Sequence, residues 1–261
     1  MFKLEKAAYG KALALYQAQD VFFPLIGAVL LDEQNGEVYA DHPAAPRQVY
    51  VEHGFGFAHI FGDTNPELEV ALRKFLLLDK QFTATKVRLY TTDVPLFLRG
   101  PECDLLRSER QRFVLDPASP RYLESCRQIS TSKIATTAVT PGNVGEIEDH
   151  FGVVGRFWRS PEEFVVKSFG HVAWIDGKPA AICYAAAVFS GHAEVDVLTL
   201  PEYRRMGLGK YVVTLFSRNC LDHGLQPVWD CFTNNSGSMA LSQSAGFVSH
   251  GLPYEFFTLT R

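Results

Sequence analysis

The segment Thr199-Leu-Pro-Glu-Tyr-Arg-Arg-Met-Gly-Leu-Gly-Lys210 places an Arg-x-x-Gly-x-Gly loop between a strand and a helix. The strand is read at Ala193-Glu-Val-Asp-Val-Leu-Thr-Leu200, where acidic and apolar residues alternate. The helix is read over Leu208 to Leu221, with apolar residues at Val212, Val213, Leu215 and Phe216. Glycine at such a junction permits a sharp turn. It also lets a bulky anion approach the N–H groups of the first helical turn, where the helix dipole favours negative charge. Gly207 and Gly209 hold those positions, and Arg204, Arg205 and Lys210 add positive charge beside them. Taken alone, a Gly-x-Gly pair is as compatible with helix packing as with phosphate binding. The sequence around it decides between the two.

Downstream, Pro227-Val-Trp-Asp-Cys231 reads as another strand, and Asn235-Ser-Gly-Ser-Met-Ala-Leu-Ser-Gln-Ser-Ala-Gly-Phe247 as a capped helix ending in Gly-Phe. In this order and spacing the segments resemble the GNAT superfamily of acetyltransferases. The pyrophosphate motif of that superfamily is Arg/Gln-x-x-Gly-x-Gly/Ala, and its later helix runs Asn-x-x-Ala-x-x-Leu-Tyr-x-x-x-Gly-Phe. Asn235, Leu241, Gly246 and Phe247 match, while Ser238 stands where the family often has alanine. With Asp176-Gly-Lys-Pro179 and Trp229-Asp-Cys231, the stretch looks most like the branch that contains zwittermicin A resistance acetyltransferases. The resemblance covers about residues 130 to 261.

The resemblance implies a fold, a cosubstrate and a reaction. The fold is α/β (α+β), a mixed and largely antiparallel sheet flanked by helices. Its central strand, Ala193 to Leu200, carries a bulge and splays from the strand at Val228 to Phe232. The cosubstrate is acetyl-CoA. Its pantetheine arm would enter the gap and meet backbone groups of Val197, Leu198 and Thr199, which otherwise lack strand partners. An N–H from Leu198 or its neighbour would stabilise the oxyanion. The pyrophosphate would rest beside Arg204 on the amides of Arg205, Met206, Gly207, Leu208, Gly209 and Lys210, with Asn235 and Ser238 on the other side. The reaction is direct transfer to a primary amine in a ternary complex.

An alkyl ammonium has no lone pair to attack a thioester, so transfer needs a base. Glu194 and Asp196, two apart on one strand, point to the same face and are the first candidates; Asp230 on the facing strand is the third. They could equally bind a cationic acceptor while water takes the proton. Ser242 stands where many relatives carry a tyrosine that protonates the leaving thiolate, so the acid would have to be Tyr184, Tyr203, Tyr254 or solvent. Cys231 has no evident His/Asp partner and reads as a buried strand cysteine. The acids favour a small cationic acceptor: an amino-sugar, a polyamine or an aminated antibiotic. The competing reading is a non-catalytic acyl-CoA-binding module that kept its phosphate loop and lost its acid.

Composition limits the alternatives. The chain has 261 residues, 47% hydrophobic and 21% charged, ordinary globular material with room for two domains. A net charge of −4 argues against a general nucleic-acid binder, and the cluster Arg107, Arg110, Arg112, interrupted by Glu109, reads as a solvated face. The longest apolar run, Val21 to Leu31, contains Pro24 and is too short for a membrane span; it is expected to be a buried strand. Five cysteines without C-x-x-C spacing read as free thiols of a cytoplasmic protein, the start Met-Phe-Lys-Leu-Glu-Lys6 lacks the pattern of a secretory leader, and no histidine pair suggests a metal. The oligomeric state, monomer or homodimer, is not legible.

The first half is expected to run as a helix at Leu4 to Ala18, the strand Val21 to Leu31 and a hairpin turn at Glu33-Gln-Asn-Gly36. Strand segments over Gln48 to Phe61, a helix from Pro66 to Leu77 and a strand at Lys86 to Tyr90 complete it. This element order repeats in outline after Asp176, but Gly62-Asp-Thr-Asn-Pro66 stands in place of the phosphate loop. Residues 1–125 therefore read as either a degenerate, cofactor-free GNAT-like half or a plain α/β extension, and 126–261 as the acetyltransferase domain. Pro95 to Pro120, rich in proline, glycine and charge, reads as the link between them. A folded first half would wall one side of the acceptor cleft.

Overall fold

The computed structural model describes residues 1–19, 23–131 and 134–261. It divides into two compact units, Met1–Glu109 with Tyr254–Arg261, and Arg110–Pro253. The first unit contains β1 (Phe2–Lys3), α1 (Tyr9–Gln17), α2 (Pro24–Leu30), β2 (Gly36–Ala40), β3 (Gln48–His53), β4 (Phe57–Gly62), α3 (Pro66–Arg73) and β5 (Lys86–Thr91). Strands β1 to β4 are antiparallel in succession, β4 is parallel to β5, and β5 is antiparallel to the end of β12 (Phe247–Thr260), from Phe257↔Leu89 to Thr260↔Lys86. Helix α3 covers this sheet: Leu68 and Leu72 pack with Tyr50, Ile60, Leu89 and Phe257. Each such side chain stabilises the unit by roughly 1.5–3 kcal/mol.

The second unit takes up β6 (Arg107–Leu115) from Arg110 onward. It continues with α4 (Pro120–Thr131), β7 (Ala135–Ala138), α5 (Val144–Phe151), α6 (Val154–Phe157), α7 (Pro161–Lys167), β8 (His171–Ile175), β9 (Lys178–Phe189), β10 (His192–Thr199), α8 (Leu208–Asp222), β11 (Gln226–Phe232) and α9 (Ser236–Ser244). Strands β7 to β10 are antiparallel in succession, β10 is parallel to β11, and β11 is antiparallel to β6. Val212, Val213, Phe216 and Cys220 of α8 pack on Ala181, Cys183, Ala193 and Trp229. Both units thus follow one scheme: an antiparallel run, a helical crossover to a parallel strand, then an antiparallel strand. That last strand lies out of sequence order in each unit: the end of β12 beside β5, and β6 beside β11.

Several expectations are corrected. The apolar run does not form a strand from Pro24 on; Pro24–Leu30 is a helix with proline in its first turn, entered from an extended Phe23 (φ −116°, ψ 127°). All seven of its residues are buried, so no polar face betrays the helical period. Val21 lies outside the described residues. The Asn35-Gly36 turn consequently joins a helix to a strand and is not a hairpin. The expected link at Pro95 to Pro120 contains β6. The helices expected after Asn65 and Asn235 are present, and both of these side chains accept from first-turn amides.

Candidate functional site

β10 pairs with β11 only from His192↔Gln226 to Glu194↔Val228, while on its other side it stays paired with β9 as far as Thr199↔Ala181. Beyond Glu194 the two parallel strands part. At that point β9 carries an extra residue: Glu194 faces Ala187 and Val195 faces Ala185, a bulge that sharpens the local twist. The parity of the free edge follows from Leu200, whose N–H donates to Ala180 O at 3.0 Å. Alternate residues of a strand aim their amides at opposite neighbours. Asp196 and Leu198 therefore turn toward β9 with Leu200, and Val197 and Thr199 offer their N–H and C=O to the gap. Arg204 Nε, which donates to Thr199 O at 3.3 Å, fits that assignment. Of the expected trio, the neighbours of Leu198, not Leu198 itself, face the opening.

The gap opens into two adjoining clefts. One of about 530 Å³ is lined by Arg110, Asp196, Trp229, Asp230 and Asn235, among others. The other, about 550 Å³, runs along Val197–Thr199 to Arg204, Arg205, Gly207–Lys210 and Ser244. Val197, Arg204, Gly237 and Leu241 belong to both. Gly207 caps α8 at φ 80°, a left-handed conformation, and no side-chain oxygen occupies the first-turn amides. A Cβ there would meet nothing within 4 Å, so this glycine is required by conformation. Gly209 is closely packed: a Cβ there would come 3.3 Å from both Leu241 Cδ2 and Thr199 Oγ1, so either neighbour would have to give by a few tenths of an ångström. Asn235 caps α9 by accepting from Ser238 N at 3.1 Å, and Ser238 Oγ accepts from Trp229 Nε1 at 3.0 Å.

Ala193, Val195 and Val197 face the core beneath α8, so Glu194, Asp196 and Leu198 take the opposite face. Asp196 borders the cleft. Its Oδ2 accepts from Arg156 Nη1 of α6 at 3.1 Å and from the Tyr184 hydroxyl of β9. Burial, then the Asp196 charge, pushes the Tyr184 phenol well above its ordinary range, so it serves as a fixed donor. Glu194 is 6% exposed, at the level where β10 and β11 are still joined, and is not part of the cleft wall.

Asp230 is held by Arg112 of β6, whose Nε and Nη2 donate to Oδ2 at 3.1 and 2.9 Å; the Asp230 side chain is 0% exposed. Arg110 is 6% exposed, donates from Nη2 to Asp230 O and stacks 5.2 Å above the Phe232 ring. This overturns the reading of the arginine cluster as a solvated face. The signal was the spacing of two between Arg110 and Arg112, which sets both on one face of a strand. Ser242 is buried and donates to Met239 O within its own helix at 2.9 Å. Tyr203 lines the second cleft, whereas Tyr254 belongs to the first unit, among Phe23, Tyr90 and Phe256. Burial raises the Cys231 thiol, which leaves it protonated near neutral pH. Among the described residues no group of three His, Cys, Asp or Glu could hold a metal ion, and no helix is long and apolar enough to cross a membrane.

The second unit is thus a mixed sheet whose parallel central strands splay beside a glycine-capped helix. The family model for GNAT acetyltransferases matches residues 123–257, just over half of the chain. The chain belongs to that family. It is 26% identical over 264 residues to the uncharacterized N-acetyltransferase YdfB of Bacillus subtilis (strain 168), covering 94% of each chain. Its fold is similar to that of a GCN5-related N-acetyltransferase-like protein from Streptococcus suis 89/1591, with a TM-score of 0.72 at 18% identity over 98% of this chain and 100% of that one. It is also similar to a tandem GNAT protein from the clavulanic acid biosynthesis pathway, with a TM-score of 0.57 at 12% identity over 98% and 95%.

Proposed function

We propose that this chain is an acetyl-CoA-dependent N-acetyltransferase acting directly on an amine of a small molecule. The observation that carries the reading is the one-sided strand Val197–Thr199 opening into the uncapped first turn of α8. Acetyl-CoA supplies the acetyl group as a thioester. The residues fit it: the amides from Arg205 to Lys210 would take the pyrophosphate, Arg204 would add charge, and the Val197 and Thr199 amides would pair with the pantetheine arm and polarise the acyl carbonyl. Asp196 accepts the proton that the ammonium must lose, with Oδ2 fixed by Arg156 and Tyr184. The C–N bond forms as the C–S bond breaks, and the CoA thiolate takes its proton from solvent, since Ser242 is turned into its helix. Asp230, held by Arg112, positions β6 against β11. Glu194 remains a second candidate base.

A cationic acceptor such as an amino-sugar, a polyamine or a zwittermicin-like antibiotic drew its support from three acids. Two of them, Asp196 and Asp230, are each bound by an arginine. That support is weaker than the spacing implied. The buried hydroxyl of Ser242 favours the second reading, a module that binds acyl-CoA without turnover. The setting proposed is the cytoplasm, in keeping with five free thiols. We infer that the first half is a degenerate, cofactor-free GNAT-like domain. At the start of α3 the Asn65 side chain accepts from the Glu67 and Leu68 amides, Pro66 has no N–H, and Glu67 and Glu69 put two acids in the first turn.

Calorimetry with acetyl-CoA tests the reading on the intact chain and on Gly207→Glu, which sets charge and bulk in open space at the helix cap. Saturable binding lost in the variant is expected. No binding by the intact chain would leave an emptied scaffold. Asp196→Asn then separates enzyme from binder: it should retain acetyl-CoA and lose about 10²–10⁴-fold in kcat/KM.

A further inference from the structure

We propose that the acceptor is a monoamine with an apolar body, aromatic by preference, and that Leu198 and Phe232 receive the body while Asp196 receives the one ammonium. This rests on the acetyltransferase reading and names the substrate class of the same cleft. Trp229 and Cys231 of β11 pack in the core beneath α8, so Asp230 and Phe232 take the opposite face of the sheet, which is the face of Asp196 and Leu198. Counted from the last pair of the two strands, Glu194↔Val228, the first residues on this face are Asp196 and Asp230, and the next are Leu198 and Phe232. Outward along the splayed strands, a level of acids is therefore followed by a level of apolar side chains. Asp196, Asp230 and Phe232 border one cleft and Leu198 the adjoining one, and both Leu198 and Phe232 are half-buried.

Of the two acids, Asp196 alone is open to an ammonium. The Asp230 side chain is 0% exposed beneath Arg112, whereas that of Asp196 is 28% exposed. Both donors to Asp196, Arg156 Nη1 and the Tyr184 hydroxyl, sit on Oδ2, which leaves Oδ1 as the accepting atom. The other charged residues lining this cleft, Arg110 and Arg204, are cationic, so a second ammonium meets no open carboxylate there. Beyond Asp196 it would lose its water against Leu198 and Phe232, and a charge buried without a partner is costly. Phe232 attracts it little, because the ring already lies 5.2 Å from the guanidinium carbon of Arg110. An alkyl or aryl group meets the same two side chains favourably, in proportion to the apolar area it removes from water, and an aryl ring adds its packing on Phe232. The Trp229 N–H is engaged by Ser238 Oγ, so the indole presents apolar surface to the cleft and no donor for the hydroxyls of an amino-sugar.

The test uses the full chain, saturated with acetyl-CoA for initial rates and with CoA for calorimetric binding of the amines themselves, which requires no turnover. Linear alkylamines of rising length, phenethylamine, ethanolamine, α,ω-diamines and glucosamine are compared. At equal length a monoamine should exceed the diamine, and phenethylamine should exceed ethanolamine, by about 10- to 100-fold in kcat/KM and in affinity. Phe232→Ala should remove most of the advantage of phenethylamine, Phe232→Leu should keep part of it, and unchanged acetyl-CoA affinity reports that each variant is folded. A diamine or glucosamine equal to the monoamines, an aryl preference that survives Phe232→Ala, or no binding of any amine overturns the proposal. Acetyl-CoA binding and acetylation of a diamine or an amino-sugar would stand through that failure, whereas loss of acetyl-CoA binding by the intact chain would sink the underlying reading instead.

Discussion

Arg112 and Asp230 form the ion pair of the site with the strongest consequence for stability, because the carboxylate side chain is fully shielded and the guanidinium 13% exposed. Removing one partner strands a buried charge, a loss of about 3–5 kcal/mol, whereas exchanging both for apolar residues of similar volume is close to neutral. Arg112→Ala should therefore lower the urea midpoint sharply, and Arg112→Met combined with Asp230→Leu should recover most of the loss; equal losses in both would assign the effect to packing alone. His53 of β3 makes a pH-dependent contribution. Its Nδ1 accepts from Phe55 N at 2.9 Å and its Nε2 is 3.0 Å from Gln34 Oε1, an arrangement that suits the neutral ring, and burial lowers its pKa from 6.5 to about 4. Between those values the unfolded chain binds the additional proton, so stability is complete above pH 6.5 and declines as pH falls toward 4. Between pH 7 and pH 5 the loss should be roughly 2 kcal/mol, and His53→Gln, measured by the same urea titrations, should remove that pH dependence.

At the scale of elements, what the sequence made legible was what local chemistry writes. The Arg204–Lys210 loop, the capping asparagines at 65 and 235 and the alternating strand at β10 were each specified by residues that act within a few positions of themselves. Elements defined by distant partners were not legible. α2 is buried on every side, so neither helical nor strand period appears in Pro24–Leu30. β6 carries charge on an inward face because its partners, Asp230 and Phe232, lie more than a hundred positions away. The same distinction applies within the site. Glu194 and Asp196 share a face, as their spacing required, but only Asp196 reaches the cleft, because the strands part just beyond Glu194. α3 and α8 occupy corresponding places in their sheets, and their first turns differ in chemistry: one is closed by Asn65, Pro66 and acids, the other opened by Gly207.

Across the whole molecule, the boundary of compactness differs from the boundary of family resemblance. The matched region begins at residue 123, after β6, yet β6 supplies five ladder partners of β11, from Val228↔Val114 to Phe232↔Arg110, and two members of its core, Phe113 and Leu115. A piece cut at 126–261 keeps every residue of the phosphate loop. It loses three buried core side chains, Phe113, Leu115 and Tyr122, worth roughly 1.5–3 kcal/mol each, leaves Asp230 without Arg112 at a further 3–5 or so, and bares an edge of β11 that invites aggregation. Together these approach the roughly 5–15 kcal/mol by which a domain is stable at all. The expected outcome is that 126–261 is insoluble or fails to bind acetyl-CoA, while 106–253, which restores β6 and omits the strand belonging to the first unit, is soluble and binds it with the affinity of the full chain. Calorimetry and circular dichroism on the two pieces decide the matter. Tight binding by 126–261 would mean that β6 is dispensable to the cofactor cleft.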